Sequence, residues 1–114
     1  MIRITVFRRK KNKICGFRVA GHADYGPYGT DIVCSAVTAL VFNAINSIET
    51  FTLEPIEYEV QSEGGFIQCQ FLNAYQSDMG SEAKLLVESM LLGISQIQED
   101  YGTEYIQIVD EEVE

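Results

Sequence analysis

A histidine and a cysteine stand close together early in this chain, on either side of a loop rich in glycine. His22 is the only histidine, and Cys34 is one of three cysteines. An imidazole and a thiol together can perform nucleophilic attack on a carbonyl, because the imidazole can take the thiol proton and leave the more reactive thiolate. The two residues are therefore a candidate site for acyl transfer. On these residues alone a capped structural loop explains the same pattern, so catalysis is a hypothesis at this point.

The residues that follow the loop predict a buried helix that would hold Cys34 in its first turn. Apolar side chains recur at spacings of three and four residues from Val33 to Ile48, which indicates a helix ending near Glu49, and Thr30 or Asp31 is a plausible N-cap. The amides and the dipole at a helix N-terminus favour a thiolate and can donate to an oxyanion. Asp31 has two possible roles, either to orient the imidazole or only to cap the helix.

The other two cysteines lie in the middle of predicted strands and are expected to be small core residues. Cys15 alternates with Phe17 and Val19, and Cys69 lies between Ile67 and Phe71. An odd number of cysteines without a secretion signal argues against disulfides. One histidine with one helix-start cysteine does not complete a zinc shell, so neither a metal nor a cofactor is predicted.

Alternating and helical patterns give the element order β-β-α-β-β-α-β. Strands are predicted near Ile2–Val6, Ile14–Ala20, Ile56–Val60, Ile67–Phe71 and Tyr105–Val109. The first two strands and the middle two strands are each joined by a short turn, and such hairpins require antiparallel pairing. The predicted fold class is therefore α+β, a two-layer sandwich of two helices on a mainly antiparallel five-stranded sheet.

The second helix should begin near Ser77 to Ser81, with Asp78 or Ser81 as its cap, and should end near Glu99. Its apolar stripe is wide because leucines at four further positions flank the main face. We therefore expect a homodimer with this helix in the interface, although one strongly curved sheet could also cover the stripe. The four leucines are Leu85, Leu86, Leu91 and Leu92.

The acidic residues 110–114, which follow the last predicted strand, are expected to fray.

Length and composition limit the protein class. A chain of 114 residues, 46% of them hydrophobic, predicts one domain over residues 1–114. Residues 1–6 alternate and do not resemble a signal peptide, so a cytoplasmic location is expected, with no membrane partner. The net charge of −9 argues against a direct nucleic-acid partner and for a basic one, although on charge alone solubility is the simpler explanation. The basic run 8–13 is expected to be a solvated hairpin tip.

Two stretches carry a resemblance to a known family. Gly21-His22-Ala23, followed by Tyr28 to Thr38 with the sequence YGTDIVCSAVT, closely resembles the signature of the Prp family of ribosomal-processing cysteine proteases from Firmicutes and related bacteria. The resemblance extends over the whole chain in length and element order. It implies a cytoplasmic, homodimeric endopeptidase that removes the N-terminal extension of large-subunit ribosomal protein twenty-seven.

The resemblance also implies residue roles. Cys34 would be the nucleophile and His22 the base of a Cys–His dyad, and Asp31 matches the family's aspartate. The family's cleavage motif ends in paired phenylalanines followed by a basic body, which suits an acidic enzyme. As a hypothesis, the loop closes as a lid over an extended peptide and its tyrosines meet aromatic residues of the substrate. The lid residues are Ala23, Asp24, Tyr25, Gly26, Pro27, Tyr28, Gly29 and Thr30.

Other functions are compatible with the same residues. A non-catalytic ribosome-associated assembly factor could bind the same basic protein and use the loop only for recognition. A thioesterase could use the same dyad on a different acyl group. A reactive thiol at Cys34 would argue against the first alternative, and a panel of substrates would decide the second.

Overall fold

The core of the fold is a five-stranded mixed sheet. The computed structural model describes residues 1–26, 31–61, 65–74 and 79–113. The sheet order is β3-β4-β2-β1-β5, antiparallel except for β1 with β5, which pair in parallel. A single 3-10 turn, Lys10–Asn12, joins the first two strands. The strands are β1 (Ile2–Arg9), β2 (Lys13–Ala20), β3 (Ile56–Val60), β4 (Phe66–Phe71) and β5 (Ile106–Glu112).

Two helices, α1 (Ile32–Phe51) and α2 (Ser81–Tyr101), supply the other layer. Alternate residues of the central strands are buried together with one stripe from each helix, which forms one hydrophobic core. The predicted α+β fold, with its mostly antiparallel sheet and two helices, is confirmed. The largest fully buried side chains include Phe17, Phe71, Ile4, Ile45, Ile94 and Ile106.

The helix α1 begins where the sequence predicted and ends two residues later than Glu49. Asp31 is its N-cap, and the Asp31 side chain accepts a hydrogen bond from the Cys34 amide. By length and composition alone α1 could cross a membrane. Its valines and isoleucines at positions 33, 37, 41, 45 and 48 are buried, however, so its apolar residues are those of a core helix.

The start of α2 differs from the prediction. Its N-cap is Gly80, which makes no side-chain cap, and Ser81 is already the first helical residue, so the prediction of Ser81 as the cap was wrong. A Gly80 cap costs little because glycine is tolerated at this position. Asp78, the other predicted cap, lies outside the described residues, as does part of the predicted starting region 77–81.

The wide apolar stripe of α2 is divided between core and surface. Leu86 and Leu91 pack against the core, whereas Leu85 is 66% exposed and Leu92 is 61% exposed. These two exposed leucines are one heptad apart, which places them on the same side of the helix. The hydrophobic core therefore covers half of the extra leucines, and Leu85 and Leu92 remain exposed.

The prediction that the acidic tail frays was wrong for residues 110–112. These residues continue β5 and pair with Val6, Phe7 and Arg8 of β1. Arg8 Nε lies 2.8 Å from Asp110 Oδ1, and the Val113 amide donates to the Arg8 carbonyl at 2.8 Å. The sequence pattern missed this extension because charged side chains are acceptable at the end of an edge strand. Glu114 lies outside the described residues.

A chain shortened to end at Val109 should be less stable than the full chain. It would lose the backbone bonds of residues 110–113, and we expect its free energy of unfolding to fall by about 1–3 kcal/mol. Urea unfolding followed by circular dichroism measures the difference. A chain that ends at Val113 is the control, and equal stability of all three chains would mean that the tail does not pair.

Candidate active site

A cavity of about 730 Å³ opens between the N-terminal half of α1 and the antiparallel pair β3 and β4. His22 and Cys34 both line it, so the fold brings the two predicted reactive residues to one site. Asp24, Gly26 and Asp31 also line the cavity. The rest of its wall comes from α1 and from the adjoining ends of β3 and β4, namely Ser35, Thr38, Ala39, Phe42, Val60, Gly65, Phe66 and Ile67.

Cys34 is partly buried and lies in the first turn of α1. Its amide donates to Asp31 Oδ1 at 3.0 Å, and the amide of Ser35 donates to the Asp31 carbonyl at 3.0 Å. The helix dipole favours an anion at this position. The amide of Cys34 already donates to the Asp31 side chain, so it is not free to donate to an oxyanion. The predicted oxyanion donors are therefore limited to other amides of the helix start.

His22 follows the end of β2 and lies at the surface of the cavity. The ring contacts Gly65, which comes directly before β4, and the Gly21 amide donates to the Gly65 carbonyl at 2.9 Å. A Cβ atom on Gly65 would lie 2.8 Å from His22 Nε2, and Gly65 has a φ of +78°. The backbone conformation thus favours glycine here, and a side chain at this position would displace the imidazole.

Asp31 is buried and joins the loop to the helix. Its Oδ1 accepts from the Cys34 amide, and its Oδ2 accepts from the Tyr25 amide at 3.1 Å. Of the two roles that the sequence allowed, capping is the one that these contacts describe. The second bond had no sequence signal, because it depends on how the loop returns to the helix.

The first part of the predicted lid is held in place. Ala23 is buried, and the Tyr25 ring makes edge contacts with Tyr101 at 5.3 Å and with Tyr105 at 5.1 Å between ring centroids. Asp24 is exposed and takes a left-handed conformation, with a φ of 59°. Tyr25 thus packs on the end of α2, against two rings of the protein itself. The remaining predicted lid residues, Pro27, Tyr28, Gly29 and Thr30, lie outside the described residues.

The other two cysteines lie in the core, as the strand pattern predicted. Cys69 is fully buried, and Cys15 is buried with its Sγ 3.4 Å from the Phe7 carbonyl oxygen. Burial, with a smaller contribution from the charge of Glu49, raises the pKa of the Cys69 thiol to about 12. Cys69 is therefore a protonated thiol at neutral pH.

Among residues that the structure describes, no group of three or more potential ligands could hold a metal ion.

Most of the cavity wall was not predicted from the sequence. The sequence patterns assign Phe42 only to a helix and Val60 only to a strand, and they place Gly65 and Phe66 in neither a helix nor a strand. The pair Gly64-Gly65 was the available signal for Gly65, because adjacent glycines often mark a close approach. For the apolar residues no such signal exists, since core and cavity positions share the same periodicity.

The whole-chain comparison agrees with the two sequence motifs. The model of the family described as "Cysteine protease Prp" matches residues 1–107. The chain belongs to the Prp family of cysteine proteases. Its resemblance to that family is therefore confirmed, and the match includes both His22 and Cys34.

Prp proteins of known sequence and structure resemble this chain over nearly all of its length. The ribosomal processing cysteine protease Prp of Bacillus subtilis is 32% identical over 102 residues, which cover 89% of this chain and 90% of that protein. A crystal structure of the S. aureus Prp with a covalently linked product peptide has a TM-score of 0.87 at 29% identity, covering 97% of this chain and 100% of that one. A second S. aureus structure, with a substrate peptide, has a TM-score of 0.81 at 28% identity over the same shares of the two chains.

The three cysteines of this Prp-family protein should differ sharply in their reaction with an alkylating reagent. Cys34 lines an open cavity, whereas Cys15 and Cys69 are buried and Cys69 stays protonated well above pH 8. With iodoacetamide at pH 8, peptide mass spectrometry should find label on Cys34 alone in the folded protein. In urea all three should react. Labelling of Cys15 or Cys69 in the folded protein at the rate seen in urea would contradict this assignment.

Proposed function

We propose that this Prp-family protein is an endopeptidase that removes the N-terminal extension of large-subunit ribosomal protein twenty-seven, with Cys34 as nucleophile and His22 as base. The observation that carries the proposal is the shared cavity, which is lined by the only histidine and by the only cysteine that is not buried. Its relatives are named as ribosomal processing proteases, and one was solved with a substrate peptide.

The proposed reaction proceeds through a thioester. His22 takes the Cys34 proton, and Sγ attacks the scissile carbonyl carbon, so that an S–C bond forms and the C=O electrons move to oxygen. When the tetrahedral intermediate collapses, the C–N bond breaks and the imidazolium gives its proton to the leaving amine. A water molecule, deprotonated by His22, then attacks the thioester and releases the new carboxylate and the thiol.

The helix start limits which amides can stabilise the oxyanion. The amides of Cys34 and Ser35 donate to Asp31. The first N–H groups of a helix have no acceptor within it, which leaves the amides of Ile32 and Val33 as the remaining donors of the helix start, although neither residue lines the cavity. Asp31 acts by positioning, since its carboxylate holds the helix start and the loop segment at Tyr25.

The proposal includes a cytoplasmic location and a homodimer. The exposed pair Leu85 and Leu92 on α2 supports the dimer, because two large apolar side chains on one helix face are costly to leave in water. The acidic chain, with a net charge of −9, would attract the basic substrate protein. No direct contact with nucleic acid is proposed.

Replacing Cys34 by alanine should abolish cleavage. A basic peptide that carries the paired-phenylalanine motif is incubated with each variant, and products are read by mass spectrometry. We expect Cys34→Ala to lower kcat/KM at least about 10³-fold, and His22→Ala to lower it about 10²- to 10⁴-fold. Cys15→Ala and Cys69→Ala are the controls and should retain cleavage. Full activity of Cys34→Ala would refute the proposal. If the protein only binds the peptide, neither the wild type nor any variant will cleave it.

A charge on the outer face of α2 should separate the dimer. Leu85→Asp or Leu92→Asp places a carboxylate in the proposed apolar interface, so we expect the monomer mass by light scattering. Lys84→Glu, an exposed change on the neighbouring position, is the control and should keep the dimer mass. An unchanged mass for both leucine variants would exclude this face.

A further inference from the structure

The strand β3 is an open edge of the sheet and runs toward the Cys34 cavity. It is the last strand in the order β3-β4-β2-β1-β5, and its final residue, Val60, lines the cavity. An edge strand presents a row of unpaired backbone groups that can bind another strand. The position of this edge next to the cavity makes it a candidate binding surface for a peptide.

The backbone bonds to β4 show which groups of β3 point outward. The Gln61 amide donates to Phe66, and the Leu72 amide donates to Pro55. The pairing has no register shift between these two bonds, so odd-numbered residues of β3 face β4 and even-numbered residues face the open edge. The amides and carbonyls of Ile56, Tyr58 and Val60 thus point outward, and no residue in the described part of the chain pairs with them.

The side chains of β3 offer two different surfaces to an added strand. Tyr58 pairs opposite Cys69 and Val60 opposite Ile67, so both side chains face the helix layer, where they are 42% and 41% exposed. Glu57 and Glu59 face the other side of the sheet and are exposed. One face of the edge is therefore apolar and continues toward Phe42 in the cavity, and the other is acidic.

We infer that β3 binds the substrate by main-chain pairing: an extended cationic peptide adds beside Ile56–Val60 as a sixth strand, and the part that passes Val60 enters the Cys34 cavity. This inference rests on the proposed function for the identity of the peptide. The side chains of an added strand alternate between the two faces. Apolar residues of the peptide would lie toward the helix layer, and basic residues would lie toward Glu57 and Glu59.

The charge distribution favours a cationic occupant at this edge. Residues 52–61 contain Glu54, Glu57 and Glu59 and no lysine or arginine. Seven of the eight basic residues of the chain lie in β1, β2 and the turn that joins them. A basic peptide at β3 therefore meets carboxylates and no competing cation on the strand. The seven residues are Arg3, Arg8, Arg9, Lys10, Lys11, Lys13 and Arg18.

Proline at Tyr58 tests the main-chain contact directly. The Tyr58 amide faces the open edge, so proline there removes no bond within the sheet, whereas it removes one donor to the peptide. The measurement is the Kd of a fluorescent basic peptide carrying the paired-phenylalanine motif, on the Cys34→Ala background. Tyr58→Val lacks the same ring but keeps the amide, so it is the matched reference, and we expect Tyr58→Pro to have a Kd about tenfold above that of Tyr58→Val.

The opposite edge of the sheet provides a matched control. The Val113 amide donates to the Arg8 carbonyl, and the amides of successive residues in a strand point in opposite directions. The amide of Glu112 on β5 therefore faces away from β1, toward the other open edge. Glu112→Pro should therefore leave the Kd unchanged. Thermal unfolding confirms that each variant is folded. Equal effects of Tyr58→Pro and Tyr58→Val, or no effect of Tyr58→Pro in a folded protein, would overturn the inference.

Methylation of the peptide backbone provides a second test that does not change the protein. N-methyl groups placed one at a time should raise Kd about tenfold at alternate positions and leave the positions between them unaffected. Losses without this alternation, or a peptide that does not bind, would overturn the inference. Cleavage by the wild-type enzyme is measured in parallel. Alternating losses in binding without any cleavage would count against the proposed function and not against the pairing at β3.

Discussion

The carboxylate of Asp31 is the contact on which the arrangement of the site depends. One of its oxygens accepts from the Cys34 amide and fixes where α1 begins, and the other accepts from the Tyr25 amide and holds the preceding loop. A helix N-terminus needs such an acceptor, because its first amides have none within the helix. The same contact uses the amide of Cys34, so this helix start both presents the thiol and restricts the donors available to an oxyanion.

The site lies where three separate parts of the chain meet. The end of β2 carries His22, the start of α1 carries Cys34, and the start of β4 brings Gly65 against the imidazole. A side chain at position 65 would displace the ring from its present position. Because β3 and β4 form the edge of the sheet on this side, the cavity opens next to a strand whose outer backbone groups have no partner among the described residues. With the pairing inferred for β3, one surface would hold a peptide by main-chain contacts and present it to the thiol.

Charge and apolar surface are distributed unevenly over the molecule. Basic residues are concentrated in the β1–β2 hairpin, and the acidic residues of β5 pair with this hairpin through Arg8 and Asp110. An exposed ion pair of this kind adds little stability, so the backbone pairing is the main reason that the end of β5 is ordered. The region around β3 keeps an excess of carboxylates. This separation would allow an acidic protein to attract a basic substrate at the side where the cavity opens.

Local patterns were enough to predict the element order, the α+β class, Asp31 as one of two candidate caps, and the core positions of Cys15 and Cys69, because periodicity and capping act over a few neighbouring residues. The family followed from two short motifs. The three-dimensional structure was needed to show that Gly65 approaches His22, that Tyr25 packs on Tyr101 and Tyr105, and that residues 110–112 extend β5. Each of these depends on contacts between residues far apart in the chain, and a local pattern carries no information about them. The division of the α2 leucines has the same cause, since the packing of α2 against α1 and the rest of the core sets which of them are covered.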